Sequence, residues 1–129
     1  MFTEEQIKLK HSKVKSGADF PNYIKDLKHL GVISYEILVN DGRTIYFGED
    51  NYSISSQVQY NELSISEDCN LVQFRECLKE HQQGKTNYQT FCEDCAKSGI
   101  KKWVVLLKEM KCTYYDKKDN EILVEKIPE

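Results

Sequence analysis

The chain has 129 residues, 40% of them hydrophobic and 30% charged, which excludes a disordered segment and fits one domain with a real apolar core. Its 18 basic and 21 acidic side chains leave a formal charge of −3, so it lacks the cationic surplus with which a general nucleic-acid binder neutralises phosphates. The longest apolar run, Trp103 to Leu107, is far too short to span a bilayer.

Thr3-Glu4-Glu5-Gln6 has the form of a capping box and predicts a first helix reaching about Lys15, closed by Gly17. Its apolar stripe is thin: Ile7, His11, Val14. Asp19 and Pro21 open a second helix, in which Phe20, Tyr23, Ile24, Leu27 and Leu30 recur at three and four residues and share one face. Gly31 ends it. Ser34 to Val39 alternates as a strand. Asn40-Asp41-Gly42-Arg43 predicts a tight hairpin turn with positive φ at both central residues. Thr44 to Phe47 is the return strand, Gly48 to Asn51 a second turn, and Tyr52 to Ser56 a third strand. Gln57 to Asp68 is a polar connection with an apolar island at Leu63 and Ile65, and has room for one more short strand.

From Leu71 the pattern restarts. Leu71, Phe74, Leu78 and His81 fall on one helical face, and Gly84 closes that helix. Thr86-Asn87-Tyr88-Gln89 is a second capping box, followed by Tyr88, Phe91, Cys92 and Cys95 on one face and Gly99 at the end. Trp103 to Leu107, Lys111 to Tyr115 and Glu121 to Ile127 read as strands. An offset of 68 positions lays this stretch over the first: Phe20 on Tyr88, Tyr23 on Phe91, Asp26 on Asp94, Gly31 on Gly99, Tyr35 on Trp103, Tyr46 on Tyr114. The expected fold is therefore α+β, a tandem duplication of an ααβββ unit with helices packed on antiparallel sheet. It makes one domain, residues 1–129, of two units at about 1–56 and 70–127.

Cys92-Glu93-Asp94-Cys95 invites a redox or zinc reading. A redox pair belongs at a helix N-terminus, whereas this one lies inside a helix beside two acids, and no second pair of ligands follows. In the repeat Cys92 stands on Ile24 and Cys95 on Leu27, which argues for core packing. Gly84-Lys85-Thr86 lacks the upstream glycine of a phosphate-binding loop. The lysines around Trp103, Tyr114 and Tyr115 read as the solvated rim of a sheet rather than a nucleic-acid platform. His11 and His81 each lie on the inner face of the first helix of their copy. If the copies pair about a twofold axis, the two first helices become neighbours and the two rings approach each other or line one polar pocket at the seam.

The candidate ligand-binding set is thus His11, His81, Cys92 and Cys95, with no catalytic residue, no metal site and no cofactor assigned. The leading function is a non-catalytic binding or regulatory module, with a homodimer as a possible assembly and neither membrane nor general nucleic acid as a partner. The alternative is a metal-binding protein or enzyme whose His/Cys site lies between the units. Acids at Glu4 and Glu5, where a secretory signal needs a basic start, and five irregularly spaced cysteines point to the cytoplasm.

The stretches Phe2-Thr3-Glu4-Glu5-Gln6-Ile7, His11 to Pro21, His81-Gln82-Gln83-Gly84-Lys85-Thr86, Phe91 to Cys95 and Cys112-Thr113-Tyr114-Tyr115-Asp116 also resemble the YbcV-like family. These are small bacterial proteins, some carried on prophages and often labelled phage envelope proteins. The resemblance spans nearly the whole chain. It implies a bacterial or prophage origin and no catalytic residue, since the family is one of unknown function.

Overall fold

The computed structural model describes residues 2–14 and 19–127. Helices α1 (Glu4–His11) and α2 (Phe20–Leu30) precede strands β1 (Ser34–Leu38), β2 (Thr44–Phe47) and β3 (Ser53–Ser55). The order then repeats: α3 (Leu71–Gln82), α4 (Tyr88–Ser98), β4 (Ile100–Leu106), β5 (Lys111–Asp116) and β6 (Glu121–Lys126). The fold is α+β, and its element order is that of a duplicated ααβββ unit.

All six strands form one antiparallel sheet in the order β3-β2-β1-β4-β5-β6. Two three-stranded meanders therefore meet through β1 and β4. Their registers carry the duplication further than the sequence does. Tyr35 pairs with Tyr46, and 68 positions on, Trp103 pairs with Tyr114. Across the join, Glu36 pairs with Val104, its own counterpart in the repeat. Tyr35 opposite Val105 and Ile37 opposite Trp103 are the same pair read in opposite directions. A pseudo-twofold axis thus passes between Glu36 and Val104. Only the outer pair departs: Tyr46 opposes Ile54, but Tyr114 opposes Leu123, because a bulge between Tyr114 and Tyr115 shifts the register.

Alternation sorts the strand residues onto two faces, and the helices cover one of them. Tyr35, Trp103, Val105, Cys112 and Tyr114 are buried with Ile7, Tyr23, Ile24, Leu27, Phe74, Leu78 and Phe91 in one core. Each aliphatic side chain so buried stabilises the fold by about 1.5–3 kcal/mol. The opposite alternates, Glu36, Lys102, Val104 and Tyr115, are half-buried. There Lys102 pairs with Glu36 at 3.7 Å and lies 5.3 Å over the Tyr115 ring. The helices pack within their copies, α1 on α2 and α3 on α4.

Caps set the helix ends. Thr3 and Gln6 form the expected box, while Gly31 and Gly99 close α2 and α4 at φ 99° and 88°. The structure corrects several local expectations. Helix α1 stops at His11 with Ser12 as its cap; Lys15 and Gly17 lie outside the described residues. Asp19 precedes α2 without a side-chain cap bond. Asn87, not Thr86, caps α4, accepting from the Thr90 N–H at 2.8 Å. In the 40–43 turn only Gly42 takes positive φ, because the Asp41 carboxylate accepts from both the Arg43 N–H and its guanidinium and so fixes a wider loop. The connection from Gln57 to Asp68 contains no strand.

Candidate ligand-binding site

A cavity of about 790 Å³ lies between the helices and the sheet, across the join of the two copies. Tyr35 and Ile37 of β1 and Trp103 and Val105 of β4 floor its centre, directly beside the pseudo-twofold axis. Thr44 and Tyr46 extend the floor into the first copy, Cys112 and Tyr114 into the second. The walls come from α1 with Ile7 and His11, α2 with Phe20 and Tyr23, α3 with Leu78 and His81, and α4 with Tyr88 and Phe91. This lining is mostly aromatic and aliphatic, so a polar pocket is not what the seam holds.

The two histidines stand in corresponding surroundings although their sequence positions are not equivalent. His11 packs edge-on against Tyr23 at 5.3 Å, and His81 stacks on Phe91 at 4.4 Å with rings 12° apart. Tyr23 and Phe91 are counterparts in the repeat. Helix α3 has 12 residues against 8 in α1, and its additional turn carries His81 to Phe91, the counterpart of the Tyr23 ring that His11 meets from the shorter helix. Nδ1 of His81 lies 3.2 Å from the Thr86 carbonyl oxygen and 3.2 Å from its hydroxyl. A carbonyl oxygen only accepts, so this contact suits a ring with its proton on Nδ1.

Cys92 and Cys95 are wholly buried and unbridged, and they do not line the cavity. Burial raises both thiols, Cys95 well above the ordinary range, and the nearby Tyr60 hydroxyl donates to the Val39 carbonyl at 2.6 Å. A thiolate is the reactive form, so such an environment favours packing over chemistry. The structure brings His11 and His81 to one cavity and leaves the two cysteines in the core beside it.

Aromatic hydroxyls supply much of the polar character of the floor. Burial holds Tyr35 and Tyr114 well above the ordinary phenol range and raises Tyr23 and Tyr46 too. These groups remain neutral donors at any moderate pH. Tyr23 and Tyr46 lie close enough in the first copy to shift each other's hydroxyls. In the second, phenylalanine replaces the first of these, and the Tyr114 hydroxyl donates instead to Oε1 of Glu125 at 3.1 Å. Nε2 of Gln82 donates to the same carboxylate at 3.1 and 3.3 Å.

Sequence reasoning missed the tyrosine floor and Glu125. The signal for both was strand parity. Glu125 occupies the inward phase of β6, opposite Cys112, where an apolar residue is the norm. Among the described residues no three His, Cys, Asp or Glu side chains cluster as metal ligands. No helix is long and apolar enough to cross a membrane among them.

Comparison with known sequences matches residues 8–126 to a family model described as protein of unknown function, DUF1398. No curated protein matches the chain.

Proposed function

We propose, for a chain that belongs to the DUF1398 family and inherits no known activity from it, that it is a non-catalytic binding module whose seam cavity takes one small, largely apolar, ring-bearing molecule. The observation that carries this reading is the cavity of about 790 Å³, walled by aromatic rings from both copies. Ligand pockets for small molecules run to roughly 300–1,000 Å³ and combine such walls with a few directed polar groups. Here the directed groups are the ring nitrogens of His11 and His81, the tyrosine hydroxyls and Glu125. The module acts as one domain, in the cytoplasm. On the YbcV-like resemblance it belongs among bacterial and prophage-borne proteins.

The alternative, a metal-binding protein or enzyme using His11, His81, Cys92 and Cys95 together, has less support. The two cysteines pack away from the cavity that holds the histidines, and burial keeps their thiols protonated.

The test is titration with the uncharged dye N-phenyl-1-naphthylamine, whose emission rises in apolar surroundings. Saturable one-to-one binding is expected, and Thr44→Trp, which places an indole on the cavity floor, should abolish it while leaving the circular dichroism spectrum unchanged. Wild-type protein that shows no saturable binding, or a variant that binds equally well, overturns the reading.

A further inference from the structure

We infer that the ligand of this cavity carries a positively charged nitrogen, an ammonium group on an aromatic or aliphatic frame, and that Glu125 receives it. The inference rests on the binding reading above and names the ligand class.

Glu125 stands on the inward phase of β6 and is half-buried, so water answers only part of its charge. Glu125 is oriented by two neutral donors, the Tyr114 hydroxyl and the Gln82 amide. These fix where its oxygens point without cancelling the charge. No lysine, arginine or histidine nitrogen forms an ion pair with it among the described residues. Lys8, the cation on the first copy's wall, is paired with Glu4 at 3.3 Å. Lys126, next to Glu125, also lines the cavity, but its side chain is exposed, and it forms no ion pair with Glu125 among the described residues.

The surroundings suit a cation for a second reason. Tyr114, which donates to Glu125, has its ring 6.0 Å from Trp103, and Trp103 lies 5.6 Å from Phe91. The Tyr114 ring therefore adjoins an oriented carboxylate that lacks an ion pair, and Trp103 continues that aromatic wall into the cavity. Aromatic faces attract ammonium groups electrostatically, most strongly where water is excluded. An anionic ligand would meet Glu125 as a like charge. A neutral one would leave the charge unanswered. An ammonium group satisfies both the carboxylate and the rings.

The experiment uses three probes of one shape: 2-phenylethylamine, 2-phenylethanol and 3-phenylpropionate. Each is followed by quenching of Trp103, the only tryptophan in the chain and part of the cavity floor. In neutral buffer the amine should bind at least about tenfold more tightly than the alcohol, and the carboxylate most weakly. Glu125→Gln should lose that advantage, binding the amine no more tightly than it binds 2-phenylethanol, and an unchanged circular dichroism spectrum shows that the variant is folded. If the alcohol or the carboxylate binds as well as the amine, or Glu125→Gln leaves the amine's affinity unchanged, the ammonium assignment is wrong and the cavity reading survives. If none of the three binds, the cavity reading fails and this inference with it.

Discussion

The two copies share a backbone and divide the chemistry of the cavity unequally. Their central strand registers agree residue for residue, and both second helices run 11 residues to a glycine of positive φ. The side chains diverge. The first copy packs Ile24 and Leu27 where the second has Cys92 and Cys95. It sets the Tyr23 and Tyr46 hydroxyls beside each other, whereas the second replaces one by Phe91 and sends the other, Tyr114, to a carboxylate. A buried hydroxyl needs a partner in either case. The first copy meets that need internally; the second meets it by recruiting Glu125, and so one end of a nearly symmetric cavity became charged. Duplication preserved the frame and left the lining free to specialise.

Substitutions at equivalent positions measure how far the equivalence goes. The largest difference is expected at the helix-ending glycines. Alanine at either must adopt a left-handed backbone, at about 1–2 kcal/mol. At Gly31 the added Cβ meets only Phe2 Cδ2, at 3.9 Å, but at Gly99 it lands 2.6 Å from the Asp68 carbonyl oxygen and 2.8 Å from Cys69 Cα. Gly99→Ala should therefore be worse than Gly31→Ala by about 2–3 kcal/mol in urea denaturation, the cost of moving a packed backbone. Equal midpoints would show that the 65–70 segment yields freely.

Next come the core counterparts Leu27 and Cys95, both wholly buried. Leu27→Ala should cost about 2–5 kcal/mol through the cavity it leaves, and Cys95→Ala about 1 kcal/mol, since a thiol is little larger than a methyl group. A Cys95→Ala loss as large as that at Leu27 would point to a role for the thiol beyond packing.

The copies also differ at high pH. Cys112 occupies the floor position held by Thr44 in the first copy, and burial pushes its thiol up to about 12 from an ordinary 9.0. The folded state thus holds a proton that the unfolded state gives up first. Its stabilising contribution is complete below pH 9 and declines as pH rises toward 12. Cys112→Thr, which imports the first copy's residue, should flatten the fall in unfolding midpoint over the lower part of that window. Buried Tyr35 and Tyr114 add a further decline at higher pH, which the variant retains. An unchanged pH profile would remove Cys112 from the alkaline response.

The smallest contrast concerns the histidines. His81 is stacked and hydrogen-bonded, while His11 makes an edge contact. His81→Ala should cost about 1 kcal/mol and His11→Ala a few tenths, read by thermal unfolding.

The architecture was legible because local signals agreed. Glycines closed helices, apolar residues recurred at helical spacing, and the repeat fixed the order of elements. The same periodicity placed His11 and His81 on inner faces; both line the cavity, His81 half-buried and His11 exposed. What was not legible depended on individual side-chain hydrogen bonds and on which face of the sheet is covered. Thr86 and Asn87 are both good caps, and the choice between them turns on His81, which engages the Thr86 oxygens. The turn after β1 was set by the Asp41 carboxylate rather than by Gly42 alone. The importance of Tyr35, Tyr46, Tyr114 and Glu125 emerges only once the side of the sheet that the helices cover is known. Strand parity sorts residues into two faces but does not say which is inside.

The axis between Glu36 and Val104 has a consequence for how the molecule comes apart. The connecting segment is divided between the copies near its middle: Gln59 and Leu63 donate their backbone N–H groups to Asp41 and Asn40, whereas those of Ser66 and Asn70 donate to Ala96 and Ser98. A break in the chain after Ser64 would leave two pieces, each with two helices and a meander, and each with one open strand edge shaped to receive the other. We expect such fragments to reassemble as a one-to-one pair when produced together, detectable by co-purification through a tag on one piece. Each alone would tend to pair with its own kind, enclosing a chamber with identical ends: two carboxylates facing one another in one pairing, and in the other none at the Glu125 position. Failure of the tagged piece to retain its complement would mean that the covalent link, and not the strand edge, holds the halves in register.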